Sequence, residues 1–317
     1  MRDAARTAPP LASGLYAECH LEDEVRTDLI VRIHQPDRDI LLERGSPAPR
    51  FAQVLRHWSD PEGPLALVPA FDLEFDLPGH VEPYFPCALF DPDFMGGVPA
   101  IVERDERRDR DGLGPLAQAV GSRVLSILHP EVTASVHHEL ERCRRAMPSW
   151  GAFMPCRPFQ DRLGRPERGV RAVASLRRDL IPDYLRRIEW PGDVTELDRI
   201  VTQFVADAVS VSLDLTILPG GPGGSIGVYW ETLWAHPRDA SLERACRRIE
   251  EAGWTGRAER WRGLSTWIGQ GPTAARSLSL KLVVGAGPRP LLKAYVSNFD
   301  EQSAFCGWAR GRGPATT

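Results

Sequence analysis

Apolar and polar positions alternate along this chain in short segments, and the segments come in pairs. Leu15, Ala17, Cys19 and Leu21 interleave with Tyr16, Glu18 and His20, and Asp28 to His34 follows after an acidic turn. This period of two predicts strands with one apolar and one polar face. The second pair is Phe71 to Leu77 with Tyr84 to Phe90, where Pro86 predicts an edge or irregular strand. The third is Ala152 to Arg157 with Gly169 to Arg177. The fourth runs from Val209 to Ile217, turns through PGGPGGS and continues from Ser225 to Leu233. The fifth is the hairpin SLSLKLVVGAGPRPLLKAYV, from Ser277 to Val296.

Helical periodicity fills the spaces between pairs. It predicts helices over Pro49 to Trp58, Pro115 to Leu128, Pro130 to Ala146, Leu180 to Arg187, Glu196 to Ala206 and about Ala240 to Gly263, the last interrupted near Gly253. Thr195, with Asp198 three residues on, reads as the cap of the fifth helix. Helices placed after strand pairs need an apolar sheet face to cover. The expected fold class is α/β (α+β): a closed antiparallel ten-stranded barrel of five strand-strand-helix repeats, helices outside and polar lumen within. Closure removes the edges of a sheet near the size where it must curl or split. The expected organisation is a flexible tail over 1–14, one barrel domain over 15–300 and a C-terminal tail over 301–317.

Composition narrows the function classes. The net charge of −4 over 317 residues argues against nucleic acid as a partner, which needs a basic face. No apolar run reaches the roughly 20 residues that span a bilayer, so no membrane role is expected. The N-terminus lacks the apolar stretch of a signal peptide, and six scattered cysteines without CxxC spacing fit a cytoplasmic protein. Of 39 basic residues only two are lysines, Lys281 and Lys293, both in the fifth pair. Lysine offers a compact point charge where the arginine fork does not fit. It is also an ordinary guard of edge strands.

The polar faces together carry Tyr16, Glu18, His20, Arg32, His34, Asp72, Glu74, Arg157, Arg171, Ser212, Asp214, Thr216, Tyr229, Glu231, Lys281, Lys293 and Tyr295. Such a set combines cations that hold an anion, carboxylates that take a proton and aromatic rings that stabilise a cation. Taken singly, each carboxylate is equally at home as an arginine's ion-pair partner, and each tyrosine as core packing.

The succession of strand pairs and helices resembles the ABBA-type prenyltransferases. LYAECHLEDEVRTDLIVRI is similar to the first strand pair of the cyanobactin-type peptide branch, and LSLKLVVGAGPRPLLKAYV to late strand pairs of the branch acting on small aromatic substrates. The resemblance implies transfer of a dimethylallyl or geranyl group from an allylic diphosphate to an aromatic metabolite or a peptide side chain, in natural-product biosynthesis. On that reading Glu18 is the base, with Glu74 in reserve. Arg32, Arg171, Lys281 and Lys293 bind diphosphate, and Tyr16, Tyr229 and Tyr295 shield the cation. Asp214 and Glu231 complete the lumen. The chain has no DDxxD motif, so no cofactor is required, Mg²⁺ being the one candidate metal.

Other motifs fall away. His137, His138 and Glu141 lack HExxH spacing and read as a solvated helix face, and PGGPGGS joins two strands without the GK[ST] of a phosphate loop. Two further readings stand beside the transferase: a non-catalytic peptide- or lipid-binding accessory protein of a biosynthetic pathway, and an open α+β fold with its polar face solvated.

Overall fold

The structure is a computed structural model that describes residues 14–21, 26–34, 38, 49–67, 70–75, 122–149, 151–159, 169–206, 210–229, 240–254, 276–287 and 289–298. Its elements follow in the order β1 (Gly14–His20), β2 (Arg26–His34), α1 (Pro49–Ser59), β3 (Ala70–Phe75), α2 (Thr133–Arg145), β4 (Ala152–Phe159) and β5 (Gly169–Arg177). Then come α3 (Ile181–Arg187), α4 (Val194–Phe204), β6 (Ser210–Leu218), β7 (Gly221–Tyr229), α5 (Ala240–Glu251), β8 (Arg276–Val284) and β9 (Leu291–Asn298). No helix among the described residues is long and apolar enough to cross a membrane.

All nine strands form one antiparallel sheet in the order β3-β2-β1-β9-β8-β7-β6-β5-β4. This corrects the expected closed ten-stranded barrel. The sheet is open: β3 and β4 stand at its two ends, and no ladder joins them among the described residues. Tyr84 to Phe90, the expected tenth strand, lies outside the described residues, as do the two tails beyond 14–298. Closure is expected from the size of the sheet and its edges, with the polar faces gathered in a lumen; ion pairs between strands instead compensate the buried charges of the polar face without joining the sheet's ends.

The apolar face of the sheet carries the core. Val170, Ala172, Ala174 and Leu176 of β5 lie opposite Ile217, Leu215, Leu213 and Val211 of β6, and all eight are buried. Helices cover this face. The same cluster takes in Val136, Leu140 and Cys143 of α2, Ile181, Tyr184 and Leu185 of α3, Leu197, Ile200, Val201 and Phe204 of α4, and Ala245 and Ile249 of α5. Each fully buried aliphatic side chain contributes about 1.5–3 kcal/mol by leaving water.

Local chemistry moves several boundaries. The cap of α4 is Asp193, not Thr195: its carboxylate accepts from Thr195 N at 2.9 Å and from Glu196 N at 3.0 Å, so the helix begins at Val194. The fourth strand pair closes in a two-residue turn at Pro219 and Gly220, and Leu218 pairs directly with Gly221, whose φ is 125°. The glycine-rich stretch is therefore strand as well as turn, because Gly221 adopts a backbone conformation that a side chain would strain. The last long helix stops at Glu251, next to the interruption expected near Gly253, whose φ is 65°; the rest of the expected helical region lies outside the described residues. Glu141 of α2 is engaged by Arg144 and Arg145, both at 2.7 Å, which hold its carboxyl down at about 2.

Candidate functional site

The second face of the sheet is polar and, in its centre, buried. Register builds it as two neighbouring rows. One runs through directly paired residues from His20 on β1 to Lys293 on β9, Lys281 on β8, Tyr229 on β7, Ser212 on β6 and Ser175 on β5. The other sets Asp28 of β2 opposite Glu18 of β1, and Glu18 opposite Tyr295 of β9. Asp214 of β6 lies opposite Gly227 of β7. Glu18, Asp28, Asp214, Ser175, Ser212, Lys281, Lys293, Tyr229 and Tyr295 are all buried.

Two like charges directly opposite each other destabilise a sheet unless each is compensated. Here both are. Lys293 Nζ donates to Glu18 Oε1 at 2.5 Å, and Lys281 Nζ donates to Asp214 Oδ2 at 3.0 Å. Arg171, on β5, adds a second donor to that Asp214 oxygen at 3.1 Å. His20 Nε2 lies 2.9 Å from Asp28 Oδ2 and 3.2 Å from Glu18 Oε1, bridging two carboxylates that face each other across β1 and β2. Ser175 and Ser212 bond each other at 2.8 Å, so the end of the row is satisfied too.

Aromatic rings complete the centre. The Lys281 ammonium is 5.3 Å from the centroid of the Tyr229 ring and 5.1 Å from that of Tyr295. The two ring centroids are 6.2 Å apart, with planes tilted by 40°. Gly227 makes room for the lysine stem: a Cβ there would meet Lys281 Cδ at 2.7 Å and Asp214 Cβ at 3.0 Å.

The proton affinities follow from this packing. Burial would raise the Glu18 carboxyl, but Lys293, the hydrogen bond with His20 and the more distant Lys281 outweigh it and hold it well below the usual carboxylate range. Burial pulls the Lys293 amine below its ordinary value, against the attraction of Glu18. Burial also works to lower His20, yet its bonds with Asp28 and Glu18 prevail and raise it. Glu18 is thus an ionised carboxylate whose basicity is suppressed by its own neighbours.

Seven of the residues singled out from sequence therefore meet in one cluster: Glu18, Arg171, Asp214, Tyr229, Lys281, Lys293 and Tyr295. For Tyr16, Arg32 and Glu74 the backbone register alone is described; it sets Tyr16 and Glu74 opposite Ile30, and Arg32 opposite Asp72. Glu231 lies outside the described residues. Sequence reasoning missed Asp28 and Gly227 and gave His20 no role. Asp28 follows the alternation of Arg32 backwards, and a glycine between Ile226 and Val228 is the signal of a close approach.

One oxygen or nitrogen each from Glu18, His20 and Asp28 lie within 4.8 Å of one another. Glu18 Oε1 is already engaged by Lys293, and the cluster carries its compensating cations within itself, so we assign no metal to it. The arrangement offers instead two ammonium donors, an ionised carboxylate and two ring faces, all buried. No protein-family model matches this chain, and comparison with curated proteins finds no match.

Proposed function

We propose that this chain transfers an allylic group from its diphosphate to a nucleophilic acceptor, an aromatic metabolite or a peptide side chain. The observation that carries the reading is the convergence of Lys281, Lys293 and the partly exposed Arg171 with Glu18 and the Tyr229–Tyr295 pair on one face of the sheet, whose centre is buried. Diphosphate is bound by ammonium and guanidinium donors, with Arg32 of β2 as a further candidate. The bond between the allylic carbon and the diphosphate oxygen breaks, and its electron pair leaves with the diphosphate. The acceptor's electron pair forms the new bond to that carbon. The proton displaced from the acceptor goes to the Glu18 carboxylate, with Glu74 in reserve. Charge developing on the allylic carbon is stabilised by ring faces, and charge on the leaving group by the cations.

The pairing within the free site bears on how this works. Each ammonium has three donors, so a polyanion can engage Lys293 and weaken its hold on Glu18. Glu18 then regains the basicity that Lys293 suppresses, at the moment the donor is in place.

Calorimetric titration with dimethylallyl diphosphate and geranyl diphosphate tests the reading. Binding is expected, weakened at least about tenfold by Lys281→Ala or Lys293→Ala, the effect of losing one charge-assisted contact. Absence of binding to either, with both variants indistinguishable from wild type, overturns it. A second reading, binding of a peptide or lipid without turnover, is favoured by one observation: Lys281, Lys293 and Arg171 each already have a carboxylate partner. Donor binding without alkylated product across a panel of aromatic and peptide acceptors decides for it.

A further inference from the structure

Lys281 is an unusual occupant of its position. Its side chain is 1% exposed, although ammonium groups are strongly hydrated and lysines normally reach for water. What holds it is a complete cation site. Two ring faces flank the ammonium at 5.3 and 5.1 Å, and Asp214 accepts from it at 3.0 Å. The stem lies in the space left by Gly227, against which a Cβ would clash at 2.7 Å. Ring quadrupoles and one carboxylate attract any small organic cation, not only this one.

We propose that Lys281 is a latch: it fills the Tyr229–Tyr295 site from within and vacates it for a ligand's positive charge only when a bound anion draws the ammonium away. The vacating step rests on the reading of this face as a diphosphate site; the presence of an exchangeable cation between the rings does not. Two features favour the exchange. Asp214 keeps Arg171 at 3.1 Å when Lys281 departs, so no buried carboxylate is orphaned. Lys293 has its own partner in Glu18, so the second ammonium need not follow the first. The consequence is an order of events. The rings become free to face a cation only after the anion is seated, and a positive centre formed by loss of that anion arises where an ammonium has just been.

Chemical rescue tests the occupancy. Lys281→Ala removes Cγ through Nζ, the atoms of n-propylammonium. Added n-propylammonium chloride is expected to raise the Tm of Lys281→Ala by about 3 °C relative to sodium chloride at equal ionic strength. Wild type should not respond, and neutral n-propanol should not substitute. The rise should vanish when Tyr229→Leu and Tyr295→Leu are added. If Lys281→Ala does not fold on its own, its refolding in n-propylammonium chloride against sodium chloride at equal ionic strength carries the same expectation. A folded variant with no rescue, or rescue that survives loss of both rings, overturns the proposal.

The release step is read in wild type by titrating inorganic diphosphate with and without n-propylammonium. Positive coupling of at least about fivefold is expected. Diphosphate binding without coupling overturns the latch and leaves the diphosphate reading standing. Rescue of Lys281→Ala with no diphosphate binding to wild type overturns the release step together with that reading.

Discussion

Lys281 and Lys293 are direct partners across β8 and β9, and each is neutralised by a carboxylate from a different strand, Glu18 on the adjacent β1 for Lys293 and Asp214 on β6, reached across Gly227 of β7, for Lys281. No other lysine occurs in the chain. Amine-directed reagents therefore report on this cluster alone, apart from the terminal amine. In the folded protein both lysines should resist acylation under conditions that label the terminus within minutes, and both should react once the chain is denatured. Peptide mass mapping reads the outcome. Rapid native labelling of either lysine contradicts its burial.

The Glu18–Lys293 pair should be strongly coupled. Removing either partner of a buried pair costs about 3–5 kcal/mol: Lys293 loses its carboxylate, and Glu18 is left with His20 at 3.2 Å and the more distant Lys281. Glu18→Gln and Lys293→Met should each destabilise by an amount in that range, while the double variant should lose much less than their sum. Denaturant titration of all four proteins gives the coupling energy, and additive losses would show that the two groups do not form a pair.

His20 predicts a pH signature. Its folded pKa lies above the ordinary 6.5, because bonds with Asp28 and Glu18 overcome burial. The folded chain then binds this proton more tightly than the unfolded one. The stability His20 contributes is fully present below 6.5 and is lost as pH rises through the folded value. The Tm difference between wild type and His20→Gln should therefore be larger at pH 5.5 than at pH 8.5. Glu18 has the opposite sign. Its folded pKa is depressed below the ordinary 4.5, so its contribution is present above that value and lost as pH falls through the folded one. A His20→Gln difference that grows with pH would refute the bridge.

Gly227 is a packing prediction. Adding a methyl group there drives Cβ to 2.7 Å from Lys281 Cδ and 3.0 Å from Asp214 Cβ. Gly227→Ala should cost about 1–3 kcal/mol, as overpacking does. Most of that cost should disappear in a Lys281→Ala background, because the clashing stem is gone. An undiminished cost would place the strain in the backbone.

On the helix side of the sheet, Tyr184 is buried in the core, and its hydroxyl makes no hydrogen bond among the described residues. Burial drives the phenol well above its ordinary pKa. Tyr184→Phe removes an unsatisfied polar atom and keeps the ring. It should stabilise the fold by about 1 kcal/mol, measured by thermal or denaturant unfolding. A loss of stability would reveal a partner for the hydroxyl.

Alternation of side chains is the part of this structure that a sequence displays openly. It places Arg171, Asp214, Tyr229, Lys281, Lys293 and Tyr295 on one face without any knowledge of which strands are neighbours, because the period of two is a property of each strand alone. Closure is a different kind of fact. An end strand shows the same alternation whether or not it finds a partner, so β3 carries no local mark of its place at the sheet's end; β4 does, in Pro155 and Pro158, which cannot donate to a further ladder. Asp28 was hidden for a related reason: it follows the acidic run of EDEVRTD, where carboxylates look like a solvated turn, and only its register with Glu18 shows it to be interior. Gly221 was hidden because glycine has no side chain to alternate. At α4 both Asp193 and Thr195 have capping chemistry, and the choice belongs to the backbone.

The ion pair between Glu18 and Lys293 joins positions 275 residues apart. On the ribosome, β1 and β2 emerge with the facing carboxylates Glu18 and Asp28 long before the lysines that neutralise Glu18 and Asp214 exist. Until β8 and β9 are made, the growing chain holds acidic groups that resist being buried. It should therefore accumulate as an incomplete sheet whose central charged row cannot close. Both the slowest contact to form and the charges that permit it arrive with the same hairpin, so maturation of the site and completion of the fold are one late event.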